Sequence, residues 1–288
     1  MALALSCLFC AGPNQSVLDQ PSKIEAHSVD GVPIAFGSHG SGETTLMFVH
    51  GWSCDRNYWK NQVDAFSDEY QVVLVDLAGH GDSGVERQRY TMKAFAQDVL
   101  AVANATAAKR IVLIGHSMGG GVIAEAARLM PERVVAIIGI DTLHDVSYML
   151  KPEELQGMVQ PFQQDFVPAM EAFVGSMLAE GTAPQLAEWI KNDMSSAPPD
   201  LAVSAFEEYL GQHASGEAAA IFEDIAAPVH CLNGTAWPTS VENNRKHIKH
   251  FDVTIMEDVG HFPMLEKPAE FNRHLARILK EVVPSLNP

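Results

Sequence analysis

Short apolar runs rich in β-branched residues alternate along this chain with stretches whose apolar residues recur at helical spacing. That alternation predicts an α/β fold built on a mostly parallel sheet with helices on both faces. Residues 24–28 and 32–38 flank the turn Asp30-Gly31 and read as an opening hairpin, after which 44–50, 71–76, 110–115 and 134–141 read as buried strands. Runs at 229–232 and 253–256 bring the strand count to eight. Between them, 57–66, 91–107, 117–130, 241–249 and 268–283 carry helical spacing.

The rhythm breaks once. From about residue 146 to 224 no strand-like run occurs, and several helical ones do. Pro152, Pro161, Pro168, Pro184 and the pair Pro198-Pro199 punctuate this stretch and are expected in first helical turns. It reads as an all-helical insertion after the sixth strand. Met149, Met158, Met170, Met177 and Met194, with Phe162, Phe166, Phe173 and Phe206, give it either a helix core or a pliable apolar lining.

With 47% hydrophobic and 19% charged residues over 288 positions, disorder, collagen and coiled coil are excluded. At this length roughly 75% of the unfolded surface becomes buried. The formal charge of −17 repels phosphate backbones and anionic lipid heads, so neither nucleic acid nor a membrane surface is an expected partner. Four cysteines are too few for a disulfide framework, and Cys54 and Cys231 sit in strongly patterned segments where buried thiols are expected. Cys7 and Cys10 form a C-x-x-C without a second Cys or His pair, so no metal or redox site is expected there. Segment 1–22 begins with an apolar stretch that has the length of a signal core but lacks Lys or Arg before Cys10, which leaves an export-signal remnant and an ordinary terminus both open, and with them localisation. No run of 18 apolar residues occurs, so no membrane-spanning helix is expected.

At the end of the fifth strand stands Gly115-His116-Ser117-Met118-Gly119, followed directly by a good helix. A strained strand-turn-helix elbow needs small residues two positions either side of the serine, and Gly115 and Gly119 supply them. Ser117 is therefore the candidate nucleophile. A serine needs a base to take its proton. Of twelve histidines, His261 follows the last strand in Gly260-His261-Phe262-Pro263, where Gly260 would permit an unusual backbone angle, and it is the candidate base. His50 and His116 lie inside motifs, His247, His250 and His274 on expected helix faces, and His27 and His39 in the hairpin. For an oxyanion, the backbone N–H groups of Trp52 and Met118 are the candidate donors, so that these side chains would matter for shape alone. The glycine-spaced turn Asp76 to Gly84 reads as structural, with His80 packed in it.

In these elements, taken in order, the chain resembles the alpha/beta-hydrolase fold superfamily, specifically esterases and lipases with a helical lid. The resemblance covers about 24–284 and rests on His50-Gly51-Trp52, the Asp76 to Gly84 turn, the Gly115 to Gly119 elbow and Gly260-His261. It implies an eight-stranded, mostly parallel hydrolase sheet with its core at 23–145 and 224–288 and a helical cap at 146–223. It also implies a serine-hydrolase mechanism without a cofactor or metal. One departure stands out: most members of the superfamily carry the acid after the seventh strand in G-x-x-D, and here Asn233-Gly234-Thr235-Ala236-Trp237 puts Trp237 in that place. A minority carry it after the sixth strand, where this chain has Asp141. Asp141 is thus the candidate acid, with Asp145, Asp258 or no acid as the alternatives, and Asp224 is read as capping the return from the insertion.

The expected activity is cleavage of a neutral, largely apolar carboxylic ester through an acyl-enzyme, with a small-molecule ester as partner. Thioesters and lactones are open to the same groups, and a non-catalytic ligand-binding receptor of the same fold is the alternative of a different class. Dehalogenase and epoxide-hydrolase chemistry is disfavoured, since those members use an aspartate where this chain has Ser117.

Overall fold

Every apolar run lies in one sheet of the computed structural model, which describes residues 24–283. The strands are β1 (Ile24–His27), β2 (Pro33–His39), β3 (Thr45–Val49), β4 (Gln71–Val75), β5 (Ile111–His116), β6 (Val134–Ile140), β7 (Val229–Asn233) and β8 (Phe251–Ile255). Their order is β1-β2-β4-β3-β5-β6-β7-β8. β1 with β2 and β2 with β4 are antiparallel, and all other neighbours are parallel. β3 and β5 are buried at every position, as continuous apolar runs covered on both faces should be.

A 3-10 turn at Arg56–Trp59 runs into α1 (Lys60–Phe66), followed by α2 (Met92–Ala105) and α3 (Gly119–Leu129). Between β6 and β7 come α4 (Pro152–Gln164), α5 (Phe166–Met177), α6 (Pro184–Ser195), α7 (Pro199–Ser215) and α8 (Glu217–Glu223), and then α9 (Val241–His247), α10 (Pro263–Glu266) and α11 (Pro268–Val282). α2 shows why such segments fold. Met92, Phe95, Ala96, Val99, Val102 and Ala103 form one buried stripe, and the Thr91 hydroxyl caps the start by accepting from the Ala94 N–H at 3.0 Å.

Pro152, Pro184 and Pro199 open their helices and Pro168 lies in the first turn of α5, as expected. Pro161 does not. It stands inside α4, where its ring removes a donor from the helical ladder; its own carbonyl still accepts from Asp165 at 3.0 Å, so the helix closes one turn later. Asp224 takes the C-cap position of α8, with its carboxylate 3.1 Å from Arg128. Segment 1–22, with Cys7 and Cys10, lies outside the described residues. No helix among the described residues is long and apolar enough to cross a membrane.

Register decides what meets at the sheet edge. Val49 pairs with Gly115 and Gly115 with Gly139, while Ile140 pairs with Leu232 and Asn233 with Ile255. The turns leaving β3, β5, β6, β7 and β8 therefore emerge side by side. Six non-glycine residues among those described have positive φ, and five of them, Ser53, Ser117, Asp141, Leu143 and Asp258, follow strand ends on this edge. Left-handed backbone costs on the order of 1–3 kcal/mol per residue, and such strain gathers at functional sites.

Candidate active site

Ser117 turns the chain from β5 into α3 at φ 53°. The turn is too tight for side chains nearby: a Cβ on Gly115 would lie 2.5 Å from the Gly119 carbonyl oxygen, and one on Gly119 would lie 2.7 Å from that of His50. The Ser117 N–H donates to the Ile140 carbonyl at 3.1 Å, and its own carbonyl accepts from the Thr142 hydroxyl at 2.7 Å. Both contacts come from the β6 end, so the serine and Asp141 are fixed to the same strand terminus.

Asp141 is buried, and its two oxygens have separate partners. Oδ2 accepts from His261 Nδ1 at 2.5 Å, and Oδ1 accepts from the Gly234 N–H at 2.8 Å. Burial pushes this carboxyl upward, but the hydrogen bond and charge of His261, with His144 and the Gly234 amide, outweigh it and hold the group below the ordinary carboxylate range. The other acids point elsewhere. Asp258 has a 93% exposed side chain beside Lys267, and Asp145 accepts from the Ser147 N–H and hydroxyl. Trp237, in the place usual for the acid, sets its ring edge-on to His261 at 5.3 Å.

His50 and His116 frame the elbow. His50 Nδ1–H donates to the Gly51 carbonyl at 2.8 Å while Nε2 accepts from the Leu77 N–H at 3.0 Å, which assigns its tautomer. His116 Nε2–H donates to the His261 carbonyl at 2.7 Å. Burial is the main cause that lowers the affinity of both for a proton; His116, with His261 beside it, falls to about 3. His80 is buried in its turn as expected, against the His50 ring at 4.9 Å, and is likewise pushed down to about 3. Asp76 accepts from the amides of Arg56 and Asp82 and from the Arg56 guanidinium, which makes the turn after β4 structural.

Trp52 follows β3, and Met118 follows Ser117. Among the described residues neither backbone N–H donates to an internal acceptor. The expectation that the Trp52 side chain matters for shape alone is corrected. Its Nε1–H donates to the Ala202 carbonyl at 2.7 Å, and its ring stacks on Phe206 at 4.2 Å with 13° between planes. Gly260 is corrected too: its φ is not positive, and it is glycine because a Cβ would fall 2.3 Å from the Met177 carbonyl oxygen.

Ser117, Met118 and His261 line one small cavity of about 30 Å³, roofed by Phe173, Met177, Met194 and Phe206 of the inserted helices. That volume holds about two waters. Of the inserted methionines, Met170, Met177 and Met194 are buried, whereas Met149 and Met158 are exposed.

The alpha/beta hydrolase family model matches residues 46–274. The chain belongs to the alpha/beta hydrolase family. A thermophilic esterase from Thermogutta terrifontis shares 26% identity and a TM-score of 0.77 over 91% of this chain and 99% of that one. A pimeloyl-[acyl-carrier protein] methyl ester esterase of Yersinia enterocolitica is 31% identical over 47% of this chain. A karrikin insensitive 2 receptor of Petunia hybrida is 24% identical over 80% of this chain and 89% of its own length. The stretches matched in the first curated relatives, the methyl ester esterase included, span 32% and 52% of those proteins' length.

For this alpha/beta hydrolase, sequence patterns missed three groups near the site. Cys54 and Tyr209 line the cavity, and Glu266 binds the amides either side of His261. Cys54 is a buried thiol, as expected, and desolvation pushes its ionisation well above the ordinary range, so it is a small apolar wall rather than a nucleophile.

Proposed function

We propose that the protein is a serine hydrolase that cleaves neutral, largely apolar carboxylic esters through an acyl-enzyme intermediate. The observation that carries this reading is the 2.5 Å bond from His261 Nδ1 to the buried Asp141 carboxylate, at the same sheet edge as the Ser117 elbow. With Nδ1–H held by Asp141, His261 presents Nε2 as the base. Ser117 Oγ attacks the ester carbonyl and gives its proton to Nε2; the Trp52 and Met118 amides receive the oxyanion. The imidazolium then protonates the departing alcohol, and water repeats the sequence on the acyl-enzyme. Asp141 keeps the imidazole in the productive tautomer and stabilises its charged form.

The apolar lining favours neutral acyl groups and the small volume favours short ones, since each buried CH₂ contributes about 0.8 kcal/mol until space runs out. The overall charge of −17 disfavours anionic esters. Esterases among the relatives support the ester assignment, and thioesters and lactones fall within the same mechanism. The test combines a fluorophosphonate probe with aryl esters of rising acyl length. Labelling at Ser117 that abolishes turnover, with rates peaking at short acyl groups, is the expected result. Ligand binding with neither labelling nor turnover would instead favour the receptor reading, to which the Petunia relative lends an observation.

A further inference from the structure

The loop that carries His261 is held by a carboxylate the mechanism above does not use. Glu266 Oε1 accepts from the Phe262 N–H at 3.0 Å, and Oε2 accepts from the Gly260 N–H at 3.0 Å. These are the amides on either side of the candidate base. Oε2 also reaches across to the inserted helices, accepting from the Thr182 hydroxyl at 2.9 Å and the Ala179 N–H at 3.3 Å. The His261 N–H itself donates to the Met177 carbonyl at 2.8 Å, at the end of α5, where the Met177 side chain lines the cavity. Gly260 lies against the same Met177 to Ala179 backbone.

The chemistry of this node is one-sided. Three amides donate to this carboxylate, and the single proton of the Thr182 hydroxyl is shared between it and the Ala179 carbonyl, also 2.9 Å away, so the centre must be acceptor-only, with more than two lone pairs in play. A carboxylate meets that demand, while an amide would aim its NH₂ at another donor. Among the described residues no Lys or Arg pairs with Glu266, so the charge is met by oriented N–H and O–H dipoles.

Building on the serine-hydrolase reading, we infer that Glu266 is a positioning residue: it locks the loop bearing His261 to the α5–α6 turn, so that imidazole placement and cavity-wall placement are set together. Neither part moves without breaking this node. A displacement of 1 Å at a catalytic group costs on the order of a hundredfold in rate.

The titratable groups facing the imidazole are Asp141, His116 and His144, with the Cys54 thiol and Tyr209 hydroxyl in the cavity. Neither test substitution alters any of them. The experiment measures kcat, KM for a short acyl ester, the acid limb of kcat/KM and Tm for the wild type, Glu266→Gln, Thr182→Val and His261→Ala. Glu266→Gln should lose about tenfold to a hundredfold in kcat with KM within about threefold, and its acid limb should move to lower pH because the His261–Asp141 contact loosens. Thr182→Val, which removes the hydroxyl that reaches both Glu266 and the Ala179 carbonyl, should lose a few-fold in kcat although Thr182 does not line the cavity.

A Glu266→Gln protein with wild-type kcat and acid limb, whatever its Tm, overturns the assignment alone. Should that variant not fold, Thr182→Val decides, and an unchanged kcat there overturns it. A wild type without ester turnover, or a His261→Ala protein with full turnover, removes the underlying reading and the assignment with it.

Discussion

At the strand edge, Ser117, Asp141, His50 and His116 are held by directional hydrogen bonds of 2.5 to 3.1 Å. Across the cavity, Trp52, Phe162, Phe173 and Phe206 are held by ring contacts with centroids 4.2 to 6.3 Å apart. The first kind of contact fixes an atom's position and fails when one donor is changed. The second fills volume and tolerates swaps of similar size. Isosteric changes should therefore abolish chemistry at the edge, whereas changes in the insertion should alter docking and selectivity.

The hardest test of that contrast lies in the candidate triad. Ser117→Ala and His261→Ala should each lower kcat by about 10⁶-fold, with the double variant hardly worse, since the pair acts as a unit. Asp141→Asn, which changes one atom, should cost roughly 10³- to 10⁴-fold, and exposed Asp258→Asn almost nothing. Additive losses in the double variant, or near-normal kcat for Asp141→Asn, would break the reading of the edge.

What made the edge legible was local. The run before Ser117 is apolar and β-branched, and the flanking glycines announce an elbow, because strand, turn and helix signals all lie within a dozen residues. Asp141 could be named because Trp237 left the usual acid position empty and Ile140-Asp141 ended the neighbouring strand. Glu266 gave no such signal. It looks like an ordinary helix-start acid before Pro268, and its partners Ala179 and Thr182 are more than eighty residues away in sequence. Pro161 and Gly260 were misread for the matching reason. Proline preference for first turns and glycine preference for positive φ are local rules; Pro161 stands inside α4 all the same, and at Gly260 the close approach of the Met177 backbone is what demands glycine.

A second, smaller effect separates the regions by acid. His50, His80 and His116 are buried, and burial holds each below its ordinary range, His80 and His116 at about 3. In the unfolded chain they titrate near 6.5. Between those values the unfolded chain binds more protons, so stability falls as pH drops below 6.5, by about 2 kcal/mol at pH 5 for each of His80 and His116, with His50 acting in the same direction. Asp141 is displaced in the same direction, by pairing rather than by burial, and has a lower window: its contribution is present above its unfolded value of about 3.8 and is lost as pH falls through the depressed folded value. The insertion holds one group of the first kind, His213. Urea midpoints should thus fall markedly between pH 7 and pH 5, and His80→Gln should recover part of that fall. An equal fall in the His80→Gln protein would place the acid sensitivity elsewhere.

The finest test is Trp52, where both kinds of contact meet in one residue. Its backbone N–H faces the chemistry in the proposed mechanism, and its side chain ties the β3 turn to α7 through Ala202 and Phe206. Trp52→Phe keeps the amide and an aromatic ring but leaves the Ala202 carbonyl without its donor, a loss of about 1–3 kcal/mol. Tm should fall by a few degrees and the acyl-length profile should shift, because the ring that stacks on Phe206 is smaller. kcat for a short ester should stay within a few-fold of wild type, since the oxyanion donor is backbone. A collapse of kcat with an unchanged profile would mean that the aromatic cluster positions the reacting groups themselves, and the division between a hydrogen-bonded edge and a packed roof would fail at the residue that joins them.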